Sequence, residues 1–301
     1  MPPLRDTHYV DFKKGQGSKF LRLVKKKNFS SWERMAYFLD INRSMLFLYL
    51  REKSRLPYSS FKKLIRVSNI HPQTSSYAVI PSLKKGSPKI PQKITPELAE
   101  FIGVLLGDGN INKKETQITI AGGTIDGTYL YHHVPTIIKK LFSKESTTKR
   151  LKGEGVQCRF SSKEVCNYLT RESKLIAVDK KKCGIPQELF RETRLLKPCI
   201  RGLIDTDGGL HRHHQKNCQL VFTNKSFTLI ESLEKGFKKL SYAPKRSYEK
   251  NRDIYKLYLF DKDVRRYFKE IGFNNPKHRT KFDRWIRHGF VPLNRDLVLT
   301  T

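Results

Sequence analysis

The chain has few acidic residues, few cysteines and no long apolar run, and each shortage excludes a class of protein. Its 301 residues contain 28 Asp and Glu against 60 Lys and Arg, which gives a formal net charge of +32 at pH 7. A field of that sign repels cations and basic partners and attracts polyanions. No apolar run approaches the roughly 20 residues that a membrane-spanning helix needs. The first residues form no apolar leader segment either, so we expect neither a membrane partner nor secretion.

Cysteine usage argues against both disulfides and a zinc site. The five cysteines are odd in number and widely scattered, and no two of them have the Cys-x-x-Cys spacing of zinc ligands. Reduced, packed thiols are typical of a cytosolic-type compartment. We therefore expect a cytoplasmic, nucleoid-associated protein, or a protein of an organelle matrix. Its expected partner is nucleic acid.

The positive charge is spread along the whole chain. Residues 1–94 contain 20 Lys and Arg against 5 Asp and Glu, a net of +15, which leaves +17 for the remainder. Because attraction to a polyanion depends on the local field, both parts should contact nucleic acid if either does. The stretch from His71 to Lys93 is rich in Pro, Ser, Gln and Lys and lacks periodicity. We therefore predict a small all-α domain over residues 1–70 and a linker over residues 71–94.

Three short amphipathic segments follow one another between residues 31 and 67. Apolar side chains recur at helical spacing in each of them, and a turn at residues 40–42 separates the first two. This order resembles a helix-turn-helix of the Cro/repressor type, although the turn lacks the glycine often found there. If the resemblance holds, the second helix reads the major groove through Arg43, Ser44, Phe47 and Arg51. The alternative is a basic three-helix bundle without base readout. The basic arm over residues 13–27 fits either phosphate contact or a solvated charge run.

An internal repeat carries most of the information in the remainder of the chain. The segments FIGVLLGDG (101–109) and IRGLIDTDG (200–208) are nearly the same, and each ends in an aspartate followed by glycine. The first motif helix is predicted to begin at Thr95-Pro96 and the second at Pro198. In both copies, two strands, a helix, two strands and a helix follow. We therefore predict an α+β fold made of a pseudo-twofold pair of αββαββα units, residues 95–195 and 196–301.

The motifs place small residues four positions apart, Gly103 and Gly107 in the first and Gly202 and Thr206 in the second. Residues four apart share a helix face, so two such helices can pack closely and bring their C-terminal ends together. Asp108 and Asp207 lie at those ends, where two carboxylates repel each other unless a cation lies between them. Hard oxygen ligands and a phosphate substrate indicate Mg²⁺, with Mn²⁺ as a plausible substitute.

The paired motifs resemble those of the LAGLIDADG (dodecapeptide, DOD-type) homing endonucleases in their two-motif, single-chain form. The resemblance implies that Asp108 and Asp207 are catalytic metal ligands and that both DNA strands are hydrolysed across the minor groove, leaving short 3′ overhangs. It also implies that the backbone carbonyls of Gly107 and Thr206 contribute to the metal site. Motif one departs from the family at Leu106, where motif two has the family's earlier acid, Asp205. That earlier acid is not the usual metal ligand.

Two lysines occupy similar positions relative to the motif acids. Lys180 follows Asp108 by 72 residues and Lys277 follows Asp207 by 70. The Asn-Pro-Lys-His run over residues 275–278 resembles the family segment that bears the active-site lysine. Such a lysine would polarise the attacking water or neutralise the phosphate. The alternative for both is a phosphate contact or a solvated charge, and the lysines at 181 and 182 compete with Lys180 for the role.

The predicted strands would form saddle-shaped antiparallel sheets with one face free for the major groove of DNA. A slip of one residue in register would invert the outward set, which we predict to include Gln117, Thr119, Gln219, Thr223, Lys256 and Tyr258. After motif two, His211, His213, His214 and Cys218 cluster in sequence. Their spacing does not match a structural zinc site, so we predict a loop at the DNA-facing rim and no zinc.

Together these features predict a monomeric, free-standing, intron-encoded, Mg²⁺-dependent endonuclease that cuts double-stranded DNA at specific sites. An intein is not expected, since the residues at the two ends of the chain do not match splicing chemistry. Two alternatives stay open. One is a transcription regulator of the same fold that has lost cleavage, against which the presence of both aspartates argues. The other is a maturase that binds structured intron RNA on the same positive surface.

Overall fold

The computed structural model describes residues 8–81, 88–153, 155–176, 183–214 and 217–297. They belong to two compact units, with the division along the chain between residues 86 and 87. Within the described ranges, no helix is both long and apolar enough to cross a membrane.

The N-terminal unit packs helices against a small antiparallel sheet of strand order β2-β1-β3. Its elements are, in chain order, β1 (His8–Phe12), α1 (Gln16–Asn28), α2 (Trp32–Leu39), α3 (Arg43–Leu50), β2 (Leu56–Pro57), α4 (Tyr58–Ser68), a 3₁₀ turn (Thr74–Ser76) and β3 (Tyr77–Pro81). The three helices expected between residues 31 and 68 are present. Ser31 caps α2 by accepting a hydrogen bond from the Arg34 amide, and Asp40 takes the left-handed conformation (φ 57°) at the turn that lacks glycine.

Two expectations for this unit are wrong. It is not all-helical, and residues 77–81 of the expected linker form β3, which pairs along β1 with Val10 opposite Val79. The strands escape prediction because each is short and its partner is distant in sequence, so no hairpin signal exists. The expected basic arm is helix α1, which buries Phe20, Leu21 and Val24 in the core of the unit.

The C-terminal unit contains the repeat. Its first half comprises α5 (Pro96–Leu106), β4 (Gly109–Ile111), β5 (Gln117–Gly123), α6 (Val134–Phe142), β6 (Thr147–Arg150), β7 (Gly155–Ser161) and α7 (Lys163–Asn167). Its second half comprises α8 (Thr193–Asp207), β8 (Gly208–His213), β9 (Asn217–Asn224), α9 (Phe227–Lys239), β10 (Lys245–Glu249), β11 (Ile254–Phe260), α10 (Asp261–Glu270) and α11 (Pro276–His288). The predicted αββαββα order is confirmed in both halves.

The two halves have the same sheet topology. The antiparallel orders are β4-β5-β7-β6 and β8-β9-β11-β10, so the first strand after each motif helix lies at a sheet edge. A π-helical turn at Tyr129–His133 precedes α6. A second one, at Tyr168–Glu172, follows α7 directly. A single apolar core runs through both halves, as expected for fused units that bury a common interface.

The second half differs from the prediction at two helices. Helix α8 begins at Thr193, five residues before Pro198, because Leu195 and Leu196 are also buried and extend the packed face. The helix tolerates Pro198 despite the missing N–H. Helix α11 was not predicted, although its start carries a capping signal: Asn275 accepts a hydrogen bond from the Lys277 amide, and Pro276 occupies the first position.

Candidate active site

The closest helix contact in the C-terminal unit joins the two motif helices at their glycines. A side chain on Gly103 would collide with the Cys199 carbonyl oxygen of α8, and a side chain on Gly202 would collide with the Glu100 carbonyl oxygen of α5. The two contacts are reciprocal. Glycine is therefore required at these positions by the close backbone approach, although it is a poor helix former.

One turn further on, the same contact brings the motif ends together. Helix α5 ends at Leu106, so Asp108 lies two residues beyond it, whereas Asp207 is the last residue of α8. A Cβ atom on Gly107 would clash with the Thr206 hydroxyl and lie 3.6 Å from the carboxyl carbon of Asp207. The backbone of motif one thus reaches the acid of motif two, as predicted from the spacing.

Both motif acids are partly accessible to solvent. Asp207 accepts a hydrogen bond from the Asn224 side chain of β9 at 2.9 Å. Partial negative charge from the helix ends adds to that of the carboxylates, and oxygen donors of this kind suit a hard divalent cation. Within the described residues, no group of three or more His, Cys, Asp or Glu side chains is placed to hold a metal ion. The carboxylates of Asp108 and Asp207 are the candidate donors at the motif ends.

One side of the helix pair carries a buried charge network around Glu100. Its carboxylate binds Arg201 of α8 at 2.5 Å, His133 at 2.7 Å and the Asn274 side chain at 2.6 Å. Burial alone would raise the pKa of Glu100, but these hydrogen bonds and the charge of Arg201 outweigh it and lower the pKa to about 2. Glu100 is therefore ionised, and it links both halves beneath the motif ends.

A second group of polar contacts, which we call the inter-half clasp, consists of Asp126, Asp205, Asn274, Asn275 and Lys277. Asp205 accepts a hydrogen bond from the Asn274 amide at 2.9 Å. The Asn275 side chain donates to Asp126 of the first half at 2.8 Å and to the Asp205 carbonyl at 2.9 Å. Burial raises the pKa of Asp205 to about 8. This acid therefore ties α8 to the start of α11 and does not point into the solvent-accessible site.

The structure places Lys277 in the clasp. Its ammonium forms an ion pair with Asp126 at 2.7 Å, and the residue is 8% exposed. This contact gives Lys277 a structural role beside the catalytic one proposed from sequence. The other candidate, Lys180, lies outside the described residues.

Sequence reasoning missed Lys281, one helical turn after Lys277. Lys281 is buried, and its ammonium donates to the Leu210 carbonyl of β8 at 3.2 Å. Burial and the charge of Lys277 lower its pKa to about 8. The four-residue spacing was visible in the sequence, but helix α11 was not predicted, so nothing indicated that the two lysines share a face.

The histidine cluster after motif two is not arranged around Cys218. Cys218 is buried, and its amide donates to Asp261 at 2.8 Å. The predicted loop is wrong for His211 and His213, because strand β8 extends to His213. These two histidines lie opposite Gln219 and Asn217, on the face of the sheet away from buried Leu210. Burial, followed by the charges of three nearby lysines, lowers the pKa of His211.

The outward residues of both sheets have the register expected from sequence. Gln117 and Thr119 alternate with buried Ile118 and Ile120 on β5. The other four predicted residues also lie next to buried neighbours, Gln219 and Thr223 on β9 and Lys256 and Tyr258 on β11. The faces differ in chemistry. Thr119 pairs with Arg159, whereas the corresponding pair in the second sheet is Val221 and Tyr258. Lys256, beside Thr223, forms an ion pair with Glu249 at 2.5 Å.

The candidate recognition helix α3 exposes three of its four named residues. Arg43, Ser44 and Arg51 are exposed, and Arg43 pairs with Glu33 at 2.6 Å. Phe47 is partly buried, with its ring 6.0 Å from that of Trp32. Phe47 therefore helps to hold α3 against α2. Base readout by this helix stays a prediction.

Comparison with known proteins gives one curated relative and several solved structures. No family model matches the chain. The replication factor C small subunit of Methanocaldococcus jannaschii is 26% identical over 193 residues, which are 62% of this chain and 10% of that protein. The chain thus matches only about a tenth of the length of this relative.

Among solved structures, the chain is similar to homing endonucleases and to one LAGLIDADG domain. I-DmoI in complex with DNA and Mn is 16% identical with a TM-score of 0.43, covering 59% of this chain and 96% of that one. I-WcaI bound to its DNA recognition sequence is 16% identical with a TM-score of 0.45, covering 63% and 88%. The N-terminal LAGLIDADG domain of WhiA is 15% identical with a TM-score of 0.44, covering 62% and 89%.

Proposed function

We propose that this chain is a site-specific double-strand DNA endonuclease of the homing type, acting at the paired ends of α5 and α8. The observation that supports the proposal is the reciprocal glycine contact, which packs α5 closely against α8 just before Asp108 and Asp207, in two half-units of the same topology. A single chain with two such halves supplies an acid for each strand, which suits a monomer. The formal charge of +32 provides the attraction to DNA.

Asp108 and Asp207, with the carbonyls of Gly107 and Thr206, would hold Mg²⁺ or, as a substitute, Mn²⁺. When bound, the cation supplies Lewis acidity that activates water and offsets charge on the scissile phosphate. Asn224 orients the Asp207 carboxylate through its hydrogen bond. The Thr206 hydroxyl donates to the carbonyls of Gly202 and Leu203 within its own helix, and it lies so close to Gly107 that a side chain at that position would clash with it.

The outward faces of the two sheets would bind the duplex on either side of this site. Polar side chains there offer hydrogen bonds to base edges, from Gln117, Thr119, Gln219, Thr223, Lys256 and Tyr258. The N-terminal unit adds a second basic surface, with Arg43, Ser44 and Arg51 as its candidate contacts. Lys277 would act near the phosphate only if DNA binding moved its ammonium away from Asp126. Lys180 would be its counterpart in the first half.

The test is cleavage of a plasmid that carries the gene's own intron-minus insertion site, with Mg²⁺ and with EDTA. We expect linear product that requires the metal and disappears in the Asp108→Asn, Asp207→Asn double variant. Selective binding of this site without any cutting would replace the proposal with a transcription regulator. Preferential binding of the intron RNA would replace it with a maturase.

A further inference from the structure

A cleft of about 800 Å³ opens between the loop after β5 and the C-terminal segment after α11. Its volume lies within the range of roughly 300–1,000 Å³ that is typical of small-molecule sites. Both halves of the C-terminal unit contribute to it. The polar and aromatic lining residues on which the argument depends are Thr124, Thr128, Tyr131, Arg150, Asn294 and Arg295.

The cleft lies on the other side of the first sheet from the proposed DNA-binding face. Arg150 pairs with Val156 across β6 and β7, so their side chains share a face. Val156 is buried on the helix-covered side, whereas the next residue along β7, Gln157, points outward together with Arg159. A ligand in the cleft therefore does not occupy the surface that carries Thr119 and Arg159.

The chemistry of the lining favours an anion with a flat apolar part. Arg150 and Arg295 provide cationic donors, and no carboxylate belongs to the described residues that line the cleft. Of the neighbouring acids, Asp126 binds Lys277 and Asn275, and Asp296 accepts a hydrogen bond from the Leu293 amide at 3.0 Å. Asp296 also lies 3.8 Å from Arg295, so an anion at Arg295 would replace this long ion pair.

The remaining groups suit a nucleobase. Tyr131 is 43% exposed, so its ring is available for stacking. The hydroxyls of Thr124 and Thr128 and the side chain of Asn294 are polar groups of the kind that hydrogen-bond a base or a ribose. We propose that this cleft binds a nucleotide, with its phosphates at Arg150 and Arg295 and its base against Tyr131.

The experiment is calorimetric titration of the full chain with ATP, GTP and inorganic triphosphate at physiological ionic strength. We expect Arg150→Ala and Arg295→Ala each to weaken nucleotide binding about tenfold, the usual effect of losing a hydrogen bond to a charged group. Tyr131→Ala should weaken binding of the nucleotides but leave that of triphosphate unchanged. Arg159→Ala is the matched control, because it removes an arginine from the opposite face of the same sheet, and it should leave nucleotide affinity unchanged.

Several outcomes would overturn the proposal. They are the absence of nucleotide binding, equal affinity for triphosphate and ATP, and an equal loss in the Arg150→Ala and Arg159→Ala variants. Competition between ATP and a short DNA duplex would also contradict it, since the ligand would then share the DNA path. The thermal unfolding of each variant is measured first. If Arg159→Ala does not fold, Lys149→Ala replaces it as the control, because Lys149 lies next to Arg150 on β6 and points to the opposite face. The Asp108→Asn variant should bind nucleotide normally, so failure of this proposal and failure of the endonuclease proposal are separable.

Discussion

The two sides of the α5–α8 pair share a backbone arrangement but differ in their buried chemistry. Positions 99 residues apart are equivalent, since this offset relates Asp108 to Asp207. Glu100, Arg201 and Asp205 lie on one side. The positions equivalent to them are, in the same order, Cys199, Ile102 and Leu106, and all three are buried and uncharged. The close backbone approach is thus common to both helices, whereas the buried polar network occurs once and joins the halves. This explains why motif one functions structurally with Leu106 where motif two has an acid.

The largest expected effect tests the symmetric part of this comparison. Gly103→Val and Gly202→Val each place atoms against a carbonyl oxygen of the facing helix, so each should destabilise the C-terminal unit by about 3 kcal/mol or more. Urea unfolding measures the two losses, which should be similar. Gly127→Ala is the control, because its added Cβ meets no atom within 4 Å. A large loss at only one motif glycine would show that the contact is not reciprocal.

The next largest loss of stability is expected when the buried network around Glu100 is disturbed. Glu100→Gln removes an acid whose pKa is lowered from its ordinary value of 4.5 to about 2, so it should cost about 3 kcal/mol at pH 7, at about 1.36 kcal/mol per pKa unit. Because the folded pKa is depressed, this stability is present above pH 4.5 and is lost as the pH falls toward 2. The difference in unfolding free energy between wild type and variant should shrink over that window.

A surface acid provides the control for this pH experiment. Glu97 pairs with Lys140 where both side chains are accessible, so Glu97→Gln should cost at most about 1 kcal/mol. Equal losses for Glu97→Gln and Glu100→Gln would mean that the buried network does not join the halves.

A smaller loss is expected from the inter-half clasp. Asn275→Ala removes hydrogen bonds to Asp126 and to the Asp205 carbonyl, together with the cap of α11, and should cost about 2 kcal/mol. Asn167→Ala loses one surface hydrogen bond to Glu172 and should be nearly neutral. Chemical unfolding compares the two. An unchanged stability of Asn275→Ala would remove the clasp from this account.

The smallest expected effect is a change in the salt dependence of DNA affinity, and it compares variants on the outward faces of the two sheets. Arg159 and Tyr258 occupy equivalent positions, the first polar and the second aromatic. If both faces bind the duplex, Arg159→Ala should reduce the salt dependence of DNA affinity by about one phosphate contact. Tyr258→Phe should leave the salt dependence unchanged, because it alters no charge. Binding isotherms at several salt concentrations distinguish these outcomes.

The repeat made much of the fold predictable from sequence. Alternating apolar residues located β5, β9 and β11 in the correct register. The four-residue spacing of small residues within each motif indicated the helix contact. The N-terminal sheet was not predictable in this way, because β1 pairs with segments far along the chain. The beginning of α8 was misplaced because Pro198 was read as a first-turn residue, whereas buried packing determined the helix start.

The candidate site was only partly predictable for a related reason. Motif spacing located the two acids, but the buried partners of Glu100 come from His133, Arg201 and Asn274, which are far apart in sequence. Such contacts depend on tertiary packing and leave no local pattern. The same holds for Lys281, whose position became meaningful only when α11 was known.

The most direct test of the account uses the single variants Asp108→Asn and Asp207→Asn with a DNA duplex labelled on each strand. The account predicts that each variant loses double-strand cleavage in Mg²⁺ while its binding to the duplex in EDTA stays close to that of the wild type. Double-strand cleavage at the wild-type rate by either variant would contradict a shared site at the ends of α5 and α8.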